Sequence, residues 1–376
     1  MIEHVYKIGA GNLTVKVTKG ADRLDDFIDV AQRKNPKRPF LFVSKVLGRH
    51  IPVKPSVMEQ TYFELVEGLA DTLIGPVAVV GMAETAVGLG AGVHQALLTQ
   101  GCDSVYLAST RHPMEHKVFC EFKEEHSHAM SHYLHEPVCE IAKEKFLNAR
   151  TLVLVDDEAT TGNTFANLAQ ALANAGLKNL TSLVAITLVD WSQGALLEKL
   201  QNNPVTREWK VDSQALIEGS WQWEAAENSV DLILPADVES KQQAVDILFT
   251  EKSCRAGLTE TLPFKTFPSV KKGEKILVLG SGEFVWQPYL LAKALEEAGH
   301  DVLFSATSRS PVTDGYAMKY SLAFSDNYGE GFGMYAYNID SAVYDRIFIC
   351  SETSKEAWDP TLLACLENAE IVEYDI

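Results

Sequence analysis

The chain has 376 residues, 46% of them apolar, which suits a globular protein of two domains. Its formal net charge of −18, without a basic run, argues against double-stranded nucleic acid as a partner, although a locally positive pocket can still hold a small anion. We expect no membrane span, because no stretch of about 18 apolar residues occurs, and a cytoplasmic protein with reduced thiols, because the sequence starts without a leader pattern and its six cysteines form no CxxC pair.

The first 190 residues predict alternating strands and helices. The predicted strands, in chain order, are Leu13–Val17, Phe40–Val43, Pro76–Gly81, Ser104–Ser109, Thr151–Val155 and Leu180–Val189. The predicted helices cover residues 57–74, 84–99 and 163–175. Such alternation is typical of a parallel sheet with right-handed crossovers. Residues 110–148 are polar and rich in histidine, and they predict a long loop or an irregular insertion.

The most informative motif joins the strand ending at Val155 to the helix beginning near Asn163. Two carboxylates, Asp156 and Asp157, follow the strand directly, at the sheet edge where ligands bind in open α/β folds. The turn that follows, residues 160–164, reads Thr-Thr-Gly-Asn-Thr, and its amides with the helix dipole can cradle a phosphate. The acids can accept hydrogen bonds from ribose hydroxyls and help to retain Mg²⁺. The alternative is a turn whose acids only cap the helix.

This stretch resembles the signature of type I phosphoribosyltransferases, which use phosphoribosyl pyrophosphate (PRPP) with Mg²⁺. The resemblance implies that Asp156 and Asp157 are catalytic residues that bind the ribose hydroxyls and, with PRPP, the metal. It also implies that the 5′-phosphate is wrapped by a loop of five residues, Thr160, Thr161, Gly162, Asn163 and Thr164. Asn163 stands where many members have Gly or Lys, and Thr160 stands where purine-base enzymes carry an Asp, so a purine salvage mechanism is not implied.

Two further segments correspond to pyrophosphate-binding parts of that family. The loop after the first core strand contributes Ala83, Glu84 and Thr85, whose backbone would approach pyrophosphate; the alternative is a plain strand–helix turn. A flexible loop near residues 110–148 would supply cations to the leaving group, with Arg111 as the main candidate and Lys117 and Lys123 behind it. The alternative for these three residues is a solvated loop with incidental charges.

Seven of the ten histidines lie between His94 and His135. His126, His128, His132 and His135 follow an H-x-H-x₃-H-x₂-H spacing, and on a helix the last three would share a face. Metal binding, contact with the acceptor or pyrophosphate, and a structural role all stay open. Type I enzymes also carry a lobe beside the site, the hood, which selects the acceptor. We expect the hood near residues 1–56, with Arg49 and His50 as candidates to contact the acceptor, the alternative being a loop without that role.

A second domain is expected over residues 275–376, after a linker at 251–274. Strands at Ile276–Leu279, Asp301–Ala306 and Tyr344–Cys350 and a helix over 284–298 predict a Rossmann-like unit. The dinucleotide fingerprint is incomplete, because Val285 stands where its third glycine would fall, so NAD is not expected. Arg309 is a candidate to hold an anion.

The segments GSGEF, TSRSP and DNYGEGFG resemble the TRSP domain, which is fused behind phosphoribosyltransferase domains in bacterial tellurite-resistance and stress gene neighbourhoods. The upstream segments FLFVSKVLGRHIPV, GMAETAVGLG and FKEEHSHAMSHYLHEP are similar to that same phosphoribosyltransferase subfamily. The resemblance therefore spans most of the chain and is weakest between residues 191 and 270.

Together these patterns predict an α/β protein: a type I phosphoribosyltransferase-like parallel-sheet domain over residues 1–250, followed by the second Rossmann-like α/β domain. The resemblance implies a Mg²⁺-dependent enzyme that transfers phosphoribose from PRPP to an unidentified small, base-like acceptor, making a nucleoside-like metabolite. It allows a homodimer, and neither nucleic acid nor a membrane is expected as a partner. Two alternatives remain: a non-catalytic regulator that senses PRPP or a nucleotide, and a synthetase or phosphatase acting through the C-terminal domain.

Overall fold

The computed structural model describes residues 2–33, 35, 38–112, 114–123, 131–227, 242–260 and 268–373. The strands before residue 228 are β1 (Ile2–Ile8), β2 (Gly11–Lys19), β3 (Ile28–Gln32), β4 (Phe40–Ser44), β5 (Val77–Gly81), β6 (Ser104–Ala108), β7 (Val118–Lys123), β8 (Ser131–His135), β9 (Thr151–Ala159), β10 (Ser182–Asp190) and β11 (Lys210–Ala225). The helices there are α1 (Leu24–Phe27), α2 (Pro55–Leu65), α3 (Ala86–Thr99), α4 (Glu140–Leu147), α5 (Asn163–Ala175) and α6 (Ala195–Asn202).

These elements build a seven-stranded sheet in the order β1-β2-β11-β10-β9-β5-β6. The five strands from β11 to β6 are parallel, and β1 and β2 add to one edge in antiparallel pairing. The central strands are unbroken apolar runs because helices cover both faces of the sheet. The predicted parallel α/β architecture is confirmed.

Residues 110–148 differ from the loop that their composition predicts. They contain an antiparallel pair of strands, β7 and β8, and the helix α4. From Cys120 to Lys123 the residues of β7 alternate between buried and exposed, with Cys120 and Phe122 buried, so a period of two was present in this polar segment. His132 and His135 lie in β8, so the shared face that a helix would give them is not formed, and His126 and His128 lie outside the described residues.

The last hundred residues form a second α/β unit. Its elements are β12 (Lys275–Gly280), α7 (Trp286–Glu297), β13 (Asp301–Ala306), β14 (Ser321–Ser325), β15 (Gly333–Tyr337), β16 (Arg346–Ser351), α8 (Pro360–Cys365) and β17 (Ala369–Glu373). Four parallel strands pair in the order β13-β12-β16-β17, and α7 crosses from β12 to β13. β14 and β15 form a separate hairpin. The expected second Rossmann-like unit is therefore present.

The two units share one hydrophobic core. Helix α7 of the second unit packs against α2 and α3 of the first. Val53, which precedes α2, pairs through both backbone hydrogen bonds with Phe304 of β13, at 2.8 and 2.9 Å. No helix in the described part of the chain is long and apolar enough to cross a membrane.

Residues 253–258, at the start of the expected linker, form a buried strap along the edge strand β6. The Ala108 amide donates to the Cys254 carbonyl and the Tyr106 amide to the Leu258 carbonyl, both at 2.8 Å. Cys254 and Leu258 are buried in the shared core. This part of residues 251–274 therefore packs as a fixed element, and residues 261–267 lie outside the described part of the chain.

Candidate functional site

Three parallel strands, β9, β5 and β6, are neighbours, so the loops that follow them meet at one edge of the sheet. The Met82 amide donates to the Val155 carbonyl at 3.0 Å, which ties the loop after β5 to β9. The Ser109 amide donates to the Gly81 carbonyl at 2.9 Å, which ties the loop after β6 to β5. The structure thus brings the predicted ribose, phosphate and pyrophosphate segments to the same edge.

The two acids lie within β9, which continues to Ala159 instead of ending at Val155. The Asp157 amide donates to the Asp156 carboxylate at 2.9 Å. Burial, together with repulsion from Glu158, raises the pKa of the Asp157 carboxyl to about 6, although hydrogen bonding to Asp156 and the charge of Arg38 act in the opposite direction. Neighbouring carboxylates therefore repel each other here, and hydroxyl donors or a cation would relieve that repulsion.

The turn after β9 has the backbone of an anion cradle. Gly162 adopts a left-handed φ of 74°, and a Cβ at this position would stand 2.8 Å from the Cα of Leu196, so a side chain is excluded. Helix α5 then begins at Asn163, as predicted, and the Asn163 amide donates to the Thr161 hydroxyl at 3.4 Å. Thr161 is exposed at this turn. The loop thus offers backbone donors and the positive end of a helix to an anion.

The loop after β5 is fixed by side chains rather than by helix capping. The Ala83 amide donates to the Ser109 hydroxyl at 2.9 Å. Glu84, which is buried, forms an ion pair with Arg49 at 3.1 Å, and its carbonyl accepts a second hydrogen bond from the same guanidinium at 2.8 Å. The backbone of this loop is therefore held in place, and its contact with pyrophosphate stays a prediction.

Arg111 lies beside that loop. Its Nε donates to His132 at 3.4 Å, and the other ring nitrogen of His132 is 3.4 Å from the Ser109 hydroxyl, which in turn accepts from Ala83. His132 is fully buried and provides a link that the spacing of histidines did not identify. Lys117 is different, because its ammonium is exposed and pairs with Glu136.

Arg49 and His50 occupy positions unlike those of residues exposed to an acceptor. The Arg49 guanidinium is 4% exposed and also donates to the carbonyls of Gly282 and Thr307, at 2.5 and 2.7 Å. His50 is buried against Tyr337, and burial, followed by the charge of Arg49, lowers its pKa to about 3. Contact of Arg49 and His50 with the acceptor stays a prediction, and their burial does not favour it.

Arg309 lies at the boundary of the two units. Its guanidinium pairs with Glu330 at 3.4 Å, packs over the ring of Phe332 at 4.0 Å and reaches the ring of His112 at 3.1 Å. Its charge is thus shared within the protein. An anion at this position would have to displace Glu330, so the expected anion site stays a prediction.

A cationic residue missed by sequence reasoning stands next to the acids. Arg38 forms an ion pair at 2.7 Å with Glu158, the residue that follows Asp157 in the chain. The Arg38 guanidinium lies 5.0 Å from the ring centre of Phe40 and 5.8 Å from that of Trp221. These residues belong to or pack against the β3–β4 hairpin. The sequence pattern that could have identified Arg38 is the alternation of aromatic residues in Arg-Pro-Phe-Leu-Phe, residues 38–42, next to a basic stretch.

The same hairpin carries a second arginine and a stack of rings. Arg33 donates to the Arg38 carbonyl at 3.0 Å, and burial, followed by the charge of Arg38, lowers its pKa to about 10. Phe42 stacks on Trp191 with ring centres 4.8 Å apart. Phe40, Phe42 and Trp191 are buried, so their rings support the arginines of the hairpin and do not form an open aromatic face beside the acids.

The histidines of the described residues take separate positions. His132 contacts Arg111, His135 lies against Phe249 and His116, and His94 is buried in α3 beside Tyr106. Within the described part of the chain, no three residues of His, Cys, Asp or Glu come close enough together to hold a metal ion. Metal binding by the histidine-rich segment stays an open alternative, because His126 and His128 lie outside the described residues.

The fold and the edge of the sheet define the class: a parallel α/β enzyme whose acidic strand end and glycine turn suit a sugar phosphate. Residues 27–220, just over half of the chain, match the family described as phosphoribosyl transferase, and the chain belongs to that family. Residues 252–366 match the TRSP domain that follows this transferase at its C terminus. The protein is therefore a pentosyltransferase of the phosphoribosyltransferase group with a fused TRSP domain.

Solved structures of phosphoribosyltransferases are similar over the first domain. Adenine phosphoribosyltransferase of Giardia lamblia, complexed with 9-deazaadenine, is 18% identical, with a TM-score of 0.36, covering 53% of this chain and 97% of its own. The Trypanosoma brucei adenine enzyme is 13% identical, with a TM-score of 0.36, covering 52% and 78%. Orotate phosphoribosyltransferase of Aeropyrum pernix is 18% identical, with a TM-score of 0.28, covering 48% and 78%. No curated protein matches the chain.

Proposed function

We propose that the protein transfers phosphoribose from PRPP to a small, flat acceptor at the carboxyl edge of β9, β5 and β6. The observation that carries the proposal is the joining of Asp156 and Asp157 to a glycine turn and a helix start, with the loop after β5 tied to β9 alongside. Acids that accept from vicinal hydroxyls, next to amides that hold a phosphate, match a ribose 5-phosphate group.

In this proposal each part of PRPP has its own segment. Asp156 and Asp157 accept hydrogen bonds from the ribose hydroxyls, and the turn at residues 160–164 donates amides to the 5′-phosphate. The backbone at Ala83, Glu84 and Thr85 and the Arg111 guanidinium face the pyrophosphate. These assignments are supported by the common edge of the three loops and by the chain of contacts from Arg111 through His132 and Ser109 to Ala83.

The chemical step is a displacement at C1 of the ribose. The bond from C1 to the pyrophosphate oxygen breaks, the electron pair leaves with pyrophosphate, and a nucleophile of the acceptor, such as a ring nitrogen, forms the new bond to C1 and releases its proton to solvent. Positive charge grows on the sugar as negative charge grows on the leaving group, so Arg111 and the loop amides contribute most in the transition state. The ionised Asp157 carboxylate favours the developing positive charge on the ribose.

Mg²⁺ fits the donor set, because Asp156 and Asp157 offer the hard carboxylate oxygens that this ion prefers, together with phosphate oxygens of the substrate. When bound, the ion would neutralise charge on PRPP. Burial is the main cause of the raised pKa of the Asp157 carboxyl and repulsion from Glu158 is the second, and a cation would offset that repulsion.

The acceptor would lie against the β3–β4 hairpin in this scheme. Arg38 packs over Phe40 and pairs with Glu158, and Trp191 stacks on Phe42. The partly exposed Arg38 guanidinium suits a planar ring with polar edges, and the buried rings beside it keep it in place. A base-like acceptor, giving a nucleoside-like product, is consistent with this surface. The cytoplasmic location, which is inferred from the cysteine pattern and the start of the sequence, and the link to tellurite resistance, which rests on the resemblance alone, both belong to the proposal.

The test is pyrophosphate release. The purified protein is incubated with PRPP, Mg²⁺ and a panel of purine, pyrimidine and smaller heteroaromatic bases, and pyrophosphate is measured by an enzyme-coupled assay. We expect release that depends on PRPP, on one class of base and on Mg²⁺. PRPP binding in calorimetry without release for any base would instead favour a regulator that senses PRPP. Absence of PRPP binding would contradict the proposal itself.

A further inference from the structure

The loop that ends β12 in the second domain, residues 280–284, faces the pyrophosphate side of the candidate site. Its Gly282 carbonyl accepts a hydrogen bond from Arg49, and the same guanidinium binds Glu84 through both side chain and backbone. The next residue, Glu283, contacts residues 110 and 111. Two adjacent residues of the second domain therefore hold both segments that would bind pyrophosphate.

The Glu283 carboxylate determines the start of the loop after β6. One oxygen accepts from the Arg111 amide at 2.9 Å, and the other accepts from the Thr110 hydroxyl at 2.6 Å. The Thr110 hydroxyl in turn accepts from the His112 amide at 3.1 Å. Three consecutive residues are thus oriented by one side chain, and Arg111 is left with its guanidinium toward His132 and the Ala83 loop.

The charge of Glu283 is maintained although the residue is only 3% exposed. Burial by itself would raise the pKa of this carboxyl, but interactions with His112, Arg255 and Arg309 outweigh it and hold the pKa well below its usual range. The Arg255 guanidinium is 3.2 Å away. Glu283 is therefore ionised at neutral pH and can accept both hydrogen bonds at once.

The ligand crevice of the second sheet is already filled. In an open α/β sheet that crevice lies where the strand order reverses, here between β12 and β16. Arg255 of the strap occupies this place and makes two hydrogen bonds to Glu352, at 2.6 and 2.9 Å, while the Tyr328 hydroxyl donates to the same carboxylate. The edge that commonly binds a nucleotide in this fold is used here to hold the first domain.

We infer that the second domain forms one side of the transferase site. In this inference Glu283 is a positioning residue that orients Arg111 toward the leaving pyrophosphate. This inference rests on the function proposed above. A cation stabilises a transition state only when it is held in place, and a small displacement can remove much of its effect. The buried Glu283 carboxylate accepts directed hydrogen bonds from this loop, whereas apolar packing would not fix its orientation in this way.

The experiment compares two ligands of the full-length protein. Ribose 5-phosphate would contact only the acids and the turn at 160–164, whereas magnesium pyrophosphate would contact the 82–85 loop and Arg111. Calorimetry is performed with each ligand on the wild type and on Glu283→Gln, which keeps the shape and removes the charge. We expect pyrophosphate affinity to fall about tenfold or more, and ribose 5-phosphate affinity to stay within about twofold.

Glu352→Gln is the matched control. Glu352 is as buried as Glu283 and also binds Arg255, but its other hydrogen bond comes from Tyr328 and not from the loop after β6. Both variants should lower the melting temperature, but only Glu283→Gln should weaken pyrophosphate binding. Thr110→Val removes one hydroxyl bound by Glu283 and should also lower pyrophosphate affinity. This variant tests the inference if Glu283→Gln does not fold.

The outcomes separate the two proposals. If the wild type binds ribose 5-phosphate and pyrophosphate but Glu283→Gln and Thr110→Val bind pyrophosphate as the wild type does, the positioning role is wrong and the transferase proposal stands. Equal loss in Glu352→Gln would also overturn it, since the effect would then be general destabilisation. If the wild type binds neither ligand, the proposed function fails and the inference fails with it.

Discussion

The two halves of the candidate site are built in different ways. The proposed ribose and 5′-phosphate half is one continuous segment, residues 156–164, made by a strand end, a glycine turn and a helix start. The proposed pyrophosphate half consists of two short segments after β5 and β6. Gly282 of the second domain holds the first segment through Arg49, and Glu283 holds the second directly. The first half can be recognised locally, whereas the second depends on contacts more than 150 residues apart in the chain.

This difference teaches that the fused domain is part of the architecture of the site. Helix α7 packs on α2 and α3, and Val53 pairs with Phe304, so the interface is continuous with the core of the first domain. A synthetase or phosphatase in the second domain that merely receives a product is less consistent with this packing. The following predictions test whether the two halves respond separately to substitution.

The largest expected effect is that of Arg49→Met. The change leaves the buried Glu84 carboxylate and the carbonyls of Gly282 and Thr307 without their donor, which typically costs about 3–5 kcal/mol. We expect a large loss in the free energy of unfolding, measured by urea denaturation, together with weaker pyrophosphate binding. The control is Arg346→Met, whose ion pair with Glu370 is more exposed and should cost about 0–1 kcal/mol. Equal losses in the two variants would contradict the role of Arg49 as a clamp.

Asp157→Asn tests the other half of the site. The amide cannot accept two hydrogen bonds from hydroxyls as a carboxylate does, so we expect affinity for both ribose 5-phosphate and PRPP to fall about 100-fold, which corresponds to ~2.7 kcal/mol. Pyrophosphate affinity should change much less, the reverse of the pattern for Glu283→Gln. Calorimetry with the three ligands provides the measurement. Unchanged ribose 5-phosphate affinity would rule out this location for the sugar.

Gly162→Ala probes the turn itself. The residue has a φ of 74°, and a Cβ would stand 2.8 Å from the Leu196 backbone, so we expect a loss of about 1–3 kcal/mol and weaker ribose 5-phosphate binding. Gly176→Ala is the control, because its φ is also positive, at 138°, but no atom lies within 4 Å of the added Cβ. If both variants bind ribose 5-phosphate alike, the turn is not the phosphate cradle.

The smallest effect concerns pH. The folded pKa of Asp157, about 6, lies above its ordinary value of 3.8, so the folded state binds this proton more tightly than the unfolded state does. Its contribution to stability is therefore fully present below about pH 4 and decreases as the pH rises through about 6. Asp157→Asn should remove this dependence and be more stable than the wild type at pH 7.5, by about 1–2 kcal/mol.

Protonation of Asp157 stabilises the fold, but it should weaken ligand binding. Hydroxyl donors favour the ionised carboxylate, so ribose 5-phosphate affinity should weaken as the pH falls below about 6. The phosphate group of the ligand also titrates near pH 6, and the Asp157→Asn variant measures that contribution alone. A wild-type profile that matches the variant profile would show that Asp157 does not take part.

Much of the fold could be predicted because its strongest signals are local. Fully apolar runs gave β5, β9 and β10, and α5 was predicted with its observed bounds. The polar arm β7–β8 and the long strand β11 were missed, because alternating polar and apolar residues in exposed strands resemble loop composition. The strap at residues 253–258 was expected to belong to a linker because its Glu-Lys-Ser-Cys-Arg context is polar.

By itself the sequence determined the class of protein and the acidic, glycine-containing half of the site, because those depend on residues adjacent in the chain and on the periodicity of neighbouring strands. Only the tertiary structure decided what surrounds Arg49, Glu283 and Arg255. Their buried charges are stable where opposite charges and carbonyls from distant segments converge, and no local pattern records that convergence.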